Sequence, residues 1–310
     1  MGFKPWYLLP PTWAHSLSLP TINFISKFLP YRSYRWATKS FKGLEFSNPL
    51  GIAGGVDKNA EAIAAWQKLG CGFIEVGTVT PRPQAPNPGR ILDRDISGKA
   101  LWNKMGFPNK GMEQCRQNIE KARKNTPSLP PVFVNIGKNR DTANEHAHQD
   151  YIQCMQCFSD CADAFVINIS SPNTKGLRDL FHKDSFTQFL APILHANSSN
   201  KPVLLKLSPD LEDDLLFLVV DTSLELGVDG WILTNTTVSR RPNSPFSTHE
   251  GGVSGAPLAS LSKRLLSKTL NHLGPRRQGK LVVSAGGVMT PDDVFERLKL
   301  GADLVQVYSA

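Results

Sequence analysis

From residue 50 onward, short apolar runs rich in β-branched residues recur at intervals, each separated from the next by an amphipathic stretch. The runs are Leu50–Ala53, Phe73–Val76, Val132–Asn135, Phe165–Asn168, Val203–Leu207, Trp231–Thr234, Leu281–Ser284 and Leu304–Tyr308. Near-continuous apolarity over four or five residues fits parallel strands buried on both faces. The stretches between them, 59–69, 110–124, 143–162, 184–195, 211–226, 257–273 and 291–300, carry helical spacing. The last has good entry chemistry: Thr290 as N-cap, Pro291 at the first helical position, and Asp292 and Asp293 at the positive end of the dipole.

Eight strand–helix units, less one helix, predict an α/β fold of the (β/α)8, or TIM-barrel, type. The competing architecture is an open doubly wound sheet. The first strand end, Ala53-Gly54-Gly55-Val56-Asp57-Lys58, lacks the GxGxxG fingerprint, which weakens the dinucleotide-binding version of that sheet. The sequence stops at Ala310, at the end of strand eight. The expectation is therefore a barrel whose eighth helix is missing, with the groove between its first and seventh helices uncovered. Two connections, near 78–109 and 236–256, are long enough to be lids or binding loops.

Residues 1–40 follow a different pattern. Trp6, Tyr7, Leu8, Leu9, Trp13, Leu17, Leu19, Ile22, Phe24, Ile25, Phe28 and Leu29 crowd into them, and Arg32, Arg35, Lys39 and Lys42 follow. Pro20 and Pro30 divide the segment, predicting two small helices with Thr21 capping the second. Ile22, Ile25, Phe28 and Leu29 share one stripe, with Lys27 off it. A helical pair packed on its own domain is one reading. The other is an interfacial anchor, with apolar residues entering lipid and the basic cluster meeting anionic headgroups. The domain division expected is 1–40 and 41–310.

Composition narrows the function classes. Apolar residues make up 40% of the 310, compatible with a full core, and the formal charge is +8. No zinc-finger, helix-turn-helix or RNA-recognition motif accompanies that charge, so no nucleic-acid partner is expected. The five cysteines are odd in number and follow no convincing secretory leader, which indicates free thiols. Cys154, Cys157 and Cys161 invite a cluster reading, but three sulfurs at i, i+3, i+7 suit the inner face of a helix better; no metal is expected. No apolar run reaches the ~18 residues of a membrane-spanning helix.

In barrels of this kind chemistry sits at the strand C-termini. Here those ends carry Gly54, Gly55 and Lys58, then Thr78, Asn135, Asn168, Lys206, Thr234, Asn235 and Thr236, then Gly286, Gly287, Tyr308 and Ser309. Asn168-Ile169-Ser170-Ser171-Pro172-Asn173 stands out, because an apolar strand delivers two carboxamides and two hydroxyls into one loop. A carboxamide both donates and accepts, which suits a flat ring with alternating N–H and C=O groups. Lys206 lies inside the apolar run Val203-Leu204-Leu205-Lys206-Leu207 and must be paired or functional. Its readings are a structural ion pair, a Schiff base, or a charge beside a reduced flavin. Gly286-Gly287, after strand seven, lies where barrels often hold a phosphate, and Ser254-Gly255 could line the same place.

These residues resemble the dihydroorotate dehydrogenase family. The matching segments are Asn48 to Lys58, Glu75 to Gln84, Asn103-Lys104-Met105-Gly106-Phe107, Asn135 to Asn139, Asn168 to Thr174 with Gly176-Leu177-Arg178, Thr234 to Thr237, Gly251 to Gly255, and Gly286-Gly287. The resemblance implies an FMN-containing barrel that oxidises dihydroorotate to orotate in pyrimidine synthesis. It implies FMN contacts from Gly54, Gly55, Val56, Asp57, Lys58, Thr78, Asn135, Asn168, Lys206, Thr234, Gly255, Gly287, Tyr308 and Ser309. It implies substrate contacts from Lys58, Asn103, Lys104, Met105, Gly106, Phe107, Asn168, Asn173, Asn235 and Thr236.

Within the family, soluble members use Cys as base and membrane-bound, quinone-using members use Ser. Ser171 is the candidate here, taking the C5 proton while hydride leaves C6 for the flavin. A helical segment like residues 1–40, with Ala14-His15 as its Ala-His pair, marks the quinone class. The expected partners are dihydroorotate and orotate, a membrane quinone and an anionic membrane surface, with no protein partner required. The expected location is peripheral, on the cytoplasmic face of the inner membrane in a bacterium. The alternatives are a soluble-class enzyme with another acceptor, a phosphosugar lyase or isomerase with Lys206 as Schiff base, and an inactive membrane-bound interaction protein.

Overall fold

The computed structural model describes residues 5–32, 34–126, 128–170 and 183–308. The chain enters through a 3-10 turn, Pro5–Leu8, and a helix, α1 (Pro11–Ser26). A small antiparallel hairpin, β1 (Lys39–Phe41) and β2 (Leu44–Phe46), follows. Numbered in chain order, the next strands are β3 (Leu50–Asp57), β4 (Phe73–Val79), β5 (Leu92–Asp95), β6 (Ala100–Asn103), β7 (Val132–Ile136), β8 (Ala164–Asn168), β9 (Val203–Leu207), β10 (Gly230–Leu233), β11 (Gly252–Gly255), β12 (Leu281–Ala285) and β13 (Leu304–Val307). All the apolar runs read from the sequence are strands, and they close a parallel barrel in the order β3-β4-β7-β8-β9-β10-β12-β13.

The helices between them are α2 (Ile63–Lys68), α3 (Met112–Asn125), α4 (Ala147–Cys157), α5 (Lys183–His195), α6 (Asp213–Glu225), α7 (Ala256–Leu273) and α8 (Pro291–Lys299). Each falls within the stretch that helical spacing predicts, to within a residue. Helix α8 begins with the expected cap: Thr290 Oγ1 accepts from Asp293 N, and the Asp293 carboxylate accepts from Thr290 N. The principal core lies between barrel and helices. It takes in Cys115, Cys154 and Cys161, with Cys157 packed against it. The cysteine trio therefore works as small apolar packing groups, and burial pushes the Cys161 thiol up to about 12.

The barrel floor is an aromatic plug. Phe46, from the hairpin, meets Phe73 and Phe133 edge-on at 6.0 and 6.1 Å. Three aspartates at the same end tie neighbouring strands together: Asp163, Asp229 and Asp303 accept from the backbone N–H of Val132, Val203 and Val282. Lys42 and Lys39 pair with Asp229 and Asp303. Half of the basic cluster assigned to headgroups is thus used to fasten the hairpin to the barrel.

The expected division of the N-terminal segment at Pro20 is corrected. Helix α1 runs through Pro20, and Thr21 is an interior residue rather than a cap. An interior proline costs ~3 kcal/mol in an isolated helix. Here Leu19 and Ile22, flanking the proline, pack on the principal core. Asn23 Nδ2 donates to Glu61 O at 3.0 Å and Lys68 Nζ to Ser26 O at 2.9 Å, so tertiary contacts hold the helix across the break. The two long connections are not bare loops: β5, β6 and β11 pair into an antiparallel sheet.

Candidate active site

The C-terminal strand ends and the accessory sheet enclose one cavity. Its floor comes from Gly54, Gly55, Thr78, Asn168, Lys206 and Thr234. Its roof comes from Leu92, Leu101 and Asn103 of the accessory sheet, with Met105, Gly106 and Phe107. Lys58, Asn235, Thr236 and Tyr308 close the sides. Residues that sequence separates by more than two hundred positions therefore meet because every barrel strand ends at one mouth.

The carboxamides form a chain rather than isolated turns. Asn168 Nδ2 donates to Thr78 Oγ1 at 2.9 Å and to Asn135 Oδ1 at 3.3 Å. Asn235 Nδ2 donates to Asn168 Oδ1 at 3.3 Å and to Ser170 Oγ at 3.1 Å. Such a chain fixes which edge of each amide faces the cavity. Thr236 N donates to Asn235 Oδ1 at 2.8 Å, which orients the last member. Roof and floor both crowd Gly137: a Cβ there would lie 3.0 Å from the Phe107 ring and 2.7 Å from Thr78.

Lys58 is the cavity's adjustable cation. Its ammonium donates to Gly55 O at 2.7 Å and lies 3.1 Å from His15 Nε2 of α1. Burial pulls its pKa down to about 8, partly offset by the Asp57 carboxylate next to it. Burial, helped by the Lys58 cation, pulls His15 down to about 4, so the imidazole is a neutral acceptor. Asp57 does not line the cavity: its carboxylate accepts from Glu61 N and Ala62 N at 2.7 and 2.8 Å and anchors the entry to α2.

Lys206 is buried and ion-paired with Glu75 at 2.9 Å. The sequence reading gave Glu75 no role, although a carboxylate inside the apolar strand Phe73–Val79 is the same signal that singled out Lys206. Val56, Lys104, Asn135, Gly255 and Gly287 also lie outside the cavity lining. Lys104 pairs with Glu250 at 2.6 Å, and Asn135 Nδ2 donates to Glu75 Oε1 at 2.5 Å. Ser171, Asn173 and Ser309 fall outside the described residues.

At the far end Gly286 and Gly287 adopt left-handed φ of 97° and 71°. A Cβ on Gly287 would sit 2.4 Å from Ala259 Cα, so only glycine allows this approach to the first turn of α7. The buried Arg297 guanidinium braces the turn, donating to Ser284 Oγ at 2.9 Å, Gly286 O at 2.8 Å and Ala259 O at 3.3 Å. A glycine turn, a helix N-terminus and a buried cation together suit an oxyanion.

The family model described as Dihydroorotate dehydrogenase matches residues 36–310. The chain belongs to the dihydroorotate dehydrogenase family. It is 41% identical to a Thermus thermophilus protein named Dihydroorotate dehydrogenase (quinone), over 98% of this chain and 88% of that one. A protein of the same name from Dichelobacter nodosus is 39% identical, over 98% of this chain and 90% of its own. Among solved structures, DHODH from Eimeria tenella in complex with ferulenol superposes with a TM-score of 0.85 at 33% identity, covering 97% of this chain and 86% of that one.

Relative to the family resemblance read from the sequence, the structure adds three features to this dihydroorotate dehydrogenase. Glu75 lies beneath the strand ends. Gln306, also buried, donates to it at 2.5 Å. Arg94 of β5 holds the N-terminal turn by donating to the carbonyls of Trp6, Tyr7 and Leu9 at 3.1, 2.7 and 2.5 Å. Arg94 carries no local sequence signal, whereas Gln306 stands in the apolar run Leu304–Tyr308 much as Glu75 stands in β4.

Proposed function

We propose that this dihydroorotate dehydrogenase oxidises (S)-dihydroorotate to orotate in pyrimidine biosynthesis, binding both beneath the accessory sheet, and that a membrane quinone is its electron acceptor. FMN is the cofactor that fits the cavity. Asn168 and Thr78, with Asn135 bracing Asn168 from below, and Lys206 match the hydrogen-bonding edge of its ring, and the Gly286–Gly287 turn with Tyr308 suits its phosphate. When bound, FMN supplies the acceptor for the hydride leaving C6 of the substrate.

The remaining steps belong to the chain. Lys58 pairs with the substrate carboxylate. Asn103, Asn168, Asn173 and Asn235 hold the amide edges of the ring, so that the reacting carbon is oriented. Phe107 and Met105 exclude water from above. Ser171 removes the C5 proton and passes it on through hydrogen-bonded neighbours, since a hydroxyl alone is a weak base near neutral pH.

Residues 1–40 form the membrane-associating segment of the proposal, and 41–310 the FMN-binding barrel. The single observation that carries the quinone reading is the contact of His15 with Lys58. One side of α1 touches the cavity wall through Lys58, while Trp13, Phe24 and Phe28 stand 65%, 61% and 74% exposed. Among the described residues no helix is long and apolar enough to cross a membrane. The exposed aromatics, with Arg32 and Arg35, suit a helix lying in the lipid interface.

The test is a pair of half-reactions. Dihydroorotate added without oxygen should bleach the bound flavin, and quinone in vesicles should restore its colour. Protein free of flavin, with a borohydride-trapped adduct at Lys206, would replace this reading with the Schiff-base one. Restoration by a soluble acceptor and not by quinone would point to the soluble class.

A further inference from the structure

Glu75 extends from the middle of β4 into the barrel and has no exposure to solvent. Three donors from three other strands converge on it. Lys206 Nζ of β9 and Asn135 Nδ2 of β7 reach Oε1 at 2.9 and 2.5 Å, and Gln306 Nε2 of β13 reaches Oε2 at 2.5 Å. Three donors on two oxygens suit the acceptor-only carboxylate that pairs with Lys206. Gln306 turns its amide nitrogen to Glu75, and among the described residues its own Oε1 has no hydrogen-bond partner.

The cluster lies directly under the cavity. A Cβ on Gly54 would come within 2.2 Å of Glu75 Oε1. Lys206 lines the cavity and Glu75 does not, so the ammonium has the cavity on one side and the carboxylate on the other. A lysine side chain has four rotatable bonds, and an ammonium in such a place needs a partner to fix it and to offset its desolvation.

Resting on the reading that FMN occupies the cavity with Lys206 against its ring, we propose that Glu75 is the positioning residue for Lys206 and, as its buried counter-ion, sets the electron affinity of the bound flavin. The carboxylate holds the ammonium in place and draws it back from the cavity. The flavin then meets a fixed, drawn-back positive charge, strong enough to favour the electron-rich reduced ring without trapping it there. An acceptor that must take the electrons onward requires that balance.

The experiment measures the midpoint potential of protein-bound FMN by dye equilibration at pH 6.5, with melting temperature followed in parallel. Glu75→Gln keeps the shape and removes the charge. It should raise the equilibrium ratio of reduced to oxidised flavin at least tenfold, about 30 mV for a two-electron couple. Lys206→Met should move the ratio the other way. The double variant should match Lys206→Met, because no ammonium remains for Glu75 to act through. If Glu75→Gln lowers the melting temperature but leaves the ratio within threefold of wild type, Glu75 is a scaffold residue and the proposal fails. If the double variant differs from Lys206→Met by tenfold or more, Glu75 acts on the flavin directly and the positioning role fails. That second comparison decides the matter even if Glu75→Gln alone does not fold. Wild-type protein that neither carries nor takes up FMN would instead defeat the cavity reading beneath the proposal.

Discussion

Binding of the product orotate should weaken as pH rises through about 8, and the lysine beside His15 is the reason. An anionic carboxylate is favoured by the ammonium form of Lys58, whose pKa burial lowers to about 8. With one proton linked to binding, the apparent Kd scales as one plus the ratio of deprotonated to protonated lysine. That factor is about 1.1 at pH 7 and about 11 at pH 9, so affinity falls roughly tenfold, or about 1.4 kcal/mol. Orotate is the better ligand for this test, because its binding involves no proton abstraction and leaves the Ser171 step out of the profile. The assay is titration of the flavin absorbance at several pH values between 6.5 and 9. In Lys58→Met the profile should flatten, and affinity at pH 7 should drop by about 1.5–3 kcal/mol, the range for a hydrogen bond to a charged group. His15→Phe removes the imidazole acceptor from the ammonium and should move the wild-type inflection to lower pH. An affinity constant across the range, or equal slopes in wild type and Lys58→Met, would refute the assignment of Lys58 to the carboxylate.

Four further outcomes are expected. Ser171→Ala should slow flavin reduction by dihydroorotate ~100-fold or more in stopped flow while the protein stays yellow; unchanged kinetics would remove Ser171 as base. Arg297→Met should weaken FMN far more than riboflavin in apoprotein titrations, because the guanidinium braces the Gly286–Gly287 turn and adds positive charge near it; equal losses for both ligands would mean a general packing defect. Trp13→Glu with Phe28→Glu should reduce sedimentation with anionic vesicles at least tenfold, as removal of two exposed aromatics worth roughly 1.5–3 kcal/mol each requires; undiminished binding would place the membrane surface elsewhere. Asp229→Ala loses both the Val203 N–H and Lys42 and should lower unfolding free energy by about 1–3 kcal/mol in urea, with flavin content intact when folded.

The barrel strands were legible because burial on both faces leaves a local mark: four or five apolar residues in a row. β5 and β11 leave no such mark. Leu92-Asp93-Arg94-Asp95 and Gly252-Val253-Ser254-Gly255 are strands only because β6 lies between them and satisfies their backbone groups. Helix α1 shows the reverse error: a strong local signal, Pro20, was overruled by the burial of Leu19 and Ile22 on either side of it.

The site followed the same logic. Residues at strand ends were legible because the fold brings all such ends together. Residues working one layer below were not, because their partners depend on which strands face each other across the barrel. Glu75 and Lys206 show where that limit lies and how it can be crossed. Each is a lone charge in an apolar strand, and neither sign is tolerable alone in a barrel interior. Two such strands in one closed sheet, carrying opposite charges, therefore imply a pair before any coordinates are known. What sequence withholds is the orientation of that pair, ammonium toward the cavity and carboxylate beneath, and on this orientation the proposed tuning of the flavin depends.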